Sequence, residues 1–96
     1  MSDSPVRVTA SEGWGELILN RPDRRNALAP GSASALREGL ASLLAGGARV
    51  ILLRGEGGTF CSGLDIDLFQ GGAGSAWSRD WTGFHRDLFA CPAVVV

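Results

Sequence analysis

The spacing of apolar positions along this chain switches between period two and helical spacing. Val6-Arg7-Val8-Thr9-Ala10 alternates and is β-branched, which predicts a half-buried strand. Ser11-Glu12-Gly13 supplies a turn, and Trp14-Gly15-Glu16-Leu17-Ile18-Leu19 a second strand, so the two form a hairpin. Asn20 to Asn26 is polar, contains Pro22 and reads as a loop. Ala29-Pro30 opens a helix with proline at the first helical position. Leu36, Leu40, Leu43 and Leu44 fall on one face of that helix, and Gly46-Gly47 ends it. Arg49-Val50-Ile51-Leu52-Leu53-Arg54 suits a strand covered on both faces. Asp65 to Phe69 can start a short helix, and Gly71 to Ser75 reads as a flexible spacer. Trp77, Trp81, Phe84 and Leu88 mark one face of a further helix, which Pro92 ends. Ala93-Val94-Val95-Val96 opens a buried strand. The pattern predicts an α/β chain of β-β-α units, with strands near 5–10, 14–19 and 49–54 and helices near 30–45 and 76–90.

Ninety-six residues allow one small domain at most, and 45% hydrophobic content with 20% charged residues argues for a folded chain. The formal net charge is −1, so no basic field is present to hold nucleic acid or an acidic membrane. No apolar run approaches the ~20 residues needed to span a bilayer. The first residues show no basic, then apolar, leader pattern, and the expected location is cytoplasmic. Cys61 and Cys91 lie in no metal-ligand spacing and read as buried, reduced thiols.

The chemistry concentrates in Gly57-Gly58-Thr59-Phe60-Cys61-Ser62-Gly63-Leu64-Asp65-Ile66. The order is strand, flexible loop, glycine turn, helix start. A backbone turned this way aims free N–H groups at an oxygen that gains negative charge during a reaction. A phosphate-cradling loop is the competing reading, but neither the G-x-x-x-x-G-K-[ST] pattern nor a dinucleotide glycine fingerprint is present. His85 stands on its helix without a visible partner and reads as a surface or packing histidine. Asp80 and Asp87 lie two helical turns apart, and nothing sets them up as a catalytic pair.

Leu17-Ile18-Leu19-Asn20-Arg21-Pro22-Asp23-Arg24-Arg25-Asn26-Ala27-Leu28 resembles the opening motif of the enoyl-CoA hydratase/isomerase family, the crotonase superfamily. Phe60-Cys61-Ser62-Gly63-Leu64-Asp65-Ile66 resembles that family's first oxyanion-hole motif, and the resemblance runs from Val6 to Val96. It implies a crotonase-like β-β-α spiral, of which residues 1–96 are an incomplete N-terminal part. It implies an acyl-CoA substrate whose thioester oxygen, on its way to an enolate, is held by backbone N–H groups. The first of these is the N–H of Leu64, and Gly63 lets the ligand approach the backbone.

By the same resemblance, Ser62, Leu64 and Ile66 line the adenine and pantetheine of coenzyme A. The loop Arg24-Arg25-Asn26-Ala27-Leu28 shapes its other side, and Arg24 or Arg25 is either a phosphate partner or a solvated loop charge. Asp65 is the family's acidic residue; a helix cap there competes with direct acid–base work. Coenzyme A enters as part of the substrate, and no metal or separate cofactor is implied. The family also implies a homotrimer or hexamer. The second oxyanion donor and the proton-moving residues are expected beyond Val96. The alternative expectation is therefore a catalytically inactive fragment that only binds CoA esters or a partner chain.

Overall fold

The computed structural model describes residues 4–64 and 73–96. β1 (Val6–Ser11) and β2 (Trp14–Leu19) form an antiparallel hairpin, paired from Val6 with Leu19 to Ser11 with Trp14. Gly13 closes the turn at φ +83°, a conformation that a side chain would strain. β3 (Val50–Gly55) lies parallel to β2, and β4 (Val94–Val95) parallel to β3, so the sheet order is β1-β2-β3-β4. The parallel steps need crossovers. α1 (Ser32–Ala45) makes the first, and α2 (Ala73–Ala90) lies on the second.

Both helices contribute to one core. Val6, Leu17, Leu19 and Ile51 share a sheet face and pack with Leu36, Leu40 and Leu43 of α1 and with Trp77 and Phe84 of α2. α1 sits close on the hairpin: a Cβ at Gly39 would come within 2.7 Å of Leu17 and 2.8 Å of Val8. α2 is tied to α1 by Arg37, which lies against Gly83 and pairs with Asp87 at 3.1 Å and Asp80 at 3.6 Å. The two aspartates are thus engaged in helix packing.

The opposite face is polar. Glu16 accepts hydrogen bonds from Thr9 and Arg54, each at 2.9 Å, and Arg7 pairs with Glu56 at 2.5 Å. The Arg54 hydrogen bond, and then that of Thr9, holds the Glu16 carboxyl below its ordinary value. Ile18 lies on this face between its strand partners Arg7 and Arg54 and is fully buried.

Several expectations are corrected. α1 begins at Ser32, not at Pro30. Pro30 instead occupies the second position of a turn closed by the Ser32 N–H on the Ala29 carbonyl at 3.0 Å, where its fixed φ fits equally well. β3 is not covered on both faces: Ile51 is buried, but Val50 is 41% exposed, because both described helices lie on one side. The same asymmetry turns Ala93 and Val95 to the core and leaves Val94 and Val96 exposed, so the terminal strand is not buried. Ala73 to Ser75, read as spacer, are the first residues of α2, in which Trp77 is anchored in the core. Cys61 and Cys91 are free thiols, and both are only half-buried. The short helix expected from Asp65 lies outside the described residues.

Candidate active site

The parallel register sets Leu19 beside Gly55, so β2 and β3 end side by side and release their loops at the same end of the sheet. In open α/β sheets the carboxyl ends of parallel strands are where ligands gather. The first loop turns through a short 3₁₀ segment, Pro22–Arg24. Arg25 and Asn26 then take φ +51° and +58°, a left-handed pair that reverses the chain. Arg21 stabilises this reversal from inside: its guanidinium donates to the Ala27 carbonyl at 2.6 Å. Ala27 and Leu28 follow, and Leu28 is buried in the core.

The second loop leaves β3 at Gly55, where the Glu56 N–H returns to the Leu19 carbonyl at 2.9 Å. A Cβ on Gly55 would lie 2.5 Å from the carbonyls of both Thr59 and Phe60, so the loop folds tightly over the strand end. Ser62 then donates its N–H to the Arg25 carbonyl at 3.1 Å, and its hydroxyl approaches the Arg24 carbonyl at 3.4 Å. The Leu28 N–H donates to the Gly63 carbonyl at 2.7 Å, and Leu28 and Leu64 form a parallel bridge. Gly63 makes the corner at φ +110° with open space around it.

The direction of one peptide group follows from this bridge. Gly63 turns its carbonyl toward Leu28, so the next N–H, that of Leu64, points away from Leu28. Among the described residues it meets no acceptor. Leu64 is 47% exposed and Phe60 53%, so this face of the turn is open to solvent. A groove of about 350 Å³ between the helices, lined by Arg37, Leu40, Leu44, Asp87 and Cys91 among others, shares no residue with these loops.

The structure therefore brings Arg24, Arg25 and Leu28 together with Ser62, Gly63 and Leu64, and sets Ala27 one residue from the bridge. Arg24 and Arg25 are exposed at the rim. Asp65 and Ile66 lie outside the described residues. His85 is exposed on α2, with Nδ1 2.9 Å from the Trp81 carbonyl and its ring edge-on to Trp81. Among the described residues, no group of three His, Cys, Asp or Glu side chains converges as a metal site.

The sequence set Asn26 in a polar loop and, by the resemblance, in the stretch from Arg24 to Leu28 that shapes the coenzyme's other side, but not as a link between the two loops. It is 1% exposed, and its side chain joins both loops. The available signal was its residue type, since asparagine tolerates left-handed backbone and has an amide that donates and accepts.

No family model matches the chain. The "Probable enoyl-CoA hydratase echA6" of Mycobacterium bovis is 32% identical over 95 residues, covering 95% of this chain and 37% of that protein. A "Probable enoyl-CoA hydratase" of Rhodobacter capsulatus is 41% identical over 69 residues, covering 69% of this chain and 25% of that protein. The crystal structure of an enoyl-CoA hydratase/carnithine racemase from Magnetospirillum magneticum superposes with a TM-score of 0.82 at 28% identity, covering 98% of this chain and 38% of that one. The chain belongs to the enoyl-CoA hydratase/isomerase family, the crotonase superfamily, and corresponds to its N-terminal part. An enoyl-CoA hydratase/isomerase from Xanthobacter autotrophicus shares the crotonase fold with a TM-score of 0.80 at 25% identity. The chain spans little more than a third of the length of the M. bovis relative.

Proposed function

We propose that this chain forms one wall of an acyl-CoA site, and that the Leu64 N–H is a hydrogen-bond donor to the substrate's thioester oxygen. The observation that carries the reading is the Leu28–Leu64 bridge, which turns the Leu64 N–H away from Leu28 at a glycine corner, where it meets no acceptor among the described residues. As a proton leaves the carbon next to a thioester, or water adds to the far carbon of a double bond conjugated with it, charge builds on the thioester oxygen. A donor already fixed in place stabilises that charge without reorganising. A single donor of this kind is worth roughly 3–4 kcal/mol of barrier in well-studied hydrolases.

The backbone of Ser62 to Leu64 faces the coenzyme on one side, and Ala27-Leu28 on the other. Arg24 and Arg25, exposed at the rim, supply positive charge for the coenzyme's phosphates. The substrate carries its own coenzyme A, and no further cofactor is called upon. In the intact enzyme a second donor and a proton carrier complete the site, and hydration or isomerisation is the reaction class. The test is a titration of the ¹⁵N-labelled chain with crotonyl-CoA. The Leu64 amide is expected to move, with Ser62 and Leu28 following. A titration that leaves Leu64 in place while other surfaces respond overturns the assignment.

A further inference from the structure

The Asn26 side chain is 1% exposed and its amide is fully employed. Its Oδ1 accepts the Arg21 N–H at 2.8 Å; its Nδ2 donates to the Glu56 carbonyl at 2.9 Å and to the Thr59 carbonyl at 2.6 Å. The acceptor side thus holds the first loop, and the donor side holds the second. Asn26 also lies between Arg25 and Leu28, the residues through which the loops zip together at Ser62 and Gly63. We infer that Asn26 is a positioning residue, a strut that sets the spacing of the two loops and thereby the direction of the Leu64 N–H.

The residue type is required by the chemistry. Aspartate keeps the acceptor but loses both donors and sets a buried charge against two carbonyl oxygens. Glutamine adds a methylene in a site where a Cβ on Gly55 would already lie 2.8 Å from Nδ2. Alanine leaves two carbonyls and one N–H without partners. The left-handed backbone, φ +58°, is also one that asparagine tolerates better than most side chains.

This inference rests on the acyl-CoA reading of Leu64, and amide hydrogen exchange tests it separately from that reading. In Asn26→Asp and Asn26→Ala, exchange at the Ser62 and Leu28 amides is expected to accelerate by about tenfold or more, the scale of losing one or two hydrogen bonds. The Leu17 and Leu40 amides, in β2 and α1, are expected to keep their rates. Unchanged Ser62 and Leu28 rates overturn the inference, and so does an acceleration spread evenly over the sheet and α1, the behaviour of an ordinary core residue. The wild-type chain supplies a measurement that needs no variant. The Asn26 side-chain amide protons are expected to be protected and to exchange in the same opening event as the Ser62 and Leu28 amides; a separate, faster opening overturns the strut. Crotonyl-CoA titration then separates the two ideas. A wild-type chain whose Leu64 amide does not respond overturns the acyl-CoA reading. An Asn26→Asp chain whose Leu64 amide responds as in the wild type overturns the positioning role alone.

Discussion

The Leu28 N–H donates to the Gly63 carbonyl at 2.7 Å, and because that carbonyl and the Leu64 N–H belong to one trans peptide, this bond fixes which way the N–H faces. Gly63 can make the corner because φ +110° carries no Cβ penalty for glycine. The proposed donor at Leu64 is therefore a property of the backbone. Leu64→Pro deletes the N–H and is expected to abolish crotonyl-CoA binding, while Leu64→Ala keeps most of it. The two Kd values, read with the far-ultraviolet circular dichroism of both variants, check this. Equal loss in the two variants would move the role to the side chain.

Gly55 and Gly63 separate two kinds of glycine requirement. A Cβ at Gly55 collides with the Thr59 and Phe60 carbonyls at 2.5 Å, and backbone cannot step aside cheaply. Gly55→Ala is expected to destabilise by about 1–3 kcal/mol, the usual range for overpacking. At Gly63 nothing lies within 4 Å, so Gly63→Ala brings only conformational strain, of order 1–3 kcal/mol and confined to the turn. Urea midpoints report the first. For the second, loss of protection at the Leu28 amide, with the hairpin amides unaffected, is the expected sign.

α2 docks through its aromatic face. Phe84 is 2% exposed in the core, whereas Arg37, Asp80 and Asp87 are each more than a third exposed. Exposed ion pairs contribute about 1 kcal/mol or less. Truncating a buried phenylalanine costs about 3–5 kcal/mol. Phe84→Ala is therefore expected to lower the urea midpoint several times more than Arg37→Ala. The reverse ranking would mean that the Arg37 bridge, not the apolar face, holds the helix.

Much of this was legible in the sequence, for identifiable reasons. The hairpin and β3 follow from short-range alternation and glycine punctuation, and the structure keeps them within a residue or so. Which faces are covered did not follow, because that depends on where the helices lie; hence Val50 and Val94 are exposed despite their apolar runs. Pro30 fits a turn as readily as a first helical position, so its local preference could not place the start of α1. At the site, the glycine corner was visible as a motif. The link from Asn26 to Glu56 and Thr59 spans 30 and 33 residues, a separation that local patterning does not encode.

Acid is expected to weaken the polar sheet face through Glu16. Its carboxyl is held below the ordinary value of 4.5 by Arg54, then by Thr9. A carboxylate with a depressed folded pKa contributes stability that is fully present above its unfolded value and is lost as pH falls through the folded one. The urea midpoint is therefore expected to hold steady from neutrality to about pH 5 and to fall below it. Glu16→Gln is expected to start lower at neutral pH and to fall less steeply. A variant with the wild-type acid slope would assign that slope to other carboxylates.

The 96 residues on their own are expected to bind crotonyl-CoA without hydrating it. Hydration needs charge stabilisation at the thioester oxygen and a placed proton carrier. The turn offers the Leu64 N–H, which points away from Leu28 and meets no acceptor among the described residues. The described carboxylates whose contacts are clear are occupied elsewhere: Glu16 with Arg54, Glu56 with Arg7, and Asp80 and Asp87 with Arg37. Lacking a second donor costs about a hundredfold or more in rate. Lacking the proton carrier removes a further ~100–10,000-fold. The relatives that match over nearly the whole of this chain are more than twice its length, so both groups can come from the remainder of such a protein. The assay follows loss of the conjugated thioester absorbance with this chain alone, and then with an added chain carrying that remainder. Activity only in the mixture, together with crotonyl-CoA binding by the short chain, is the expected result. Enzyme-like turnover by the short chain alone would mean that His85, Asp65 or another residue given a structural role moves the proton.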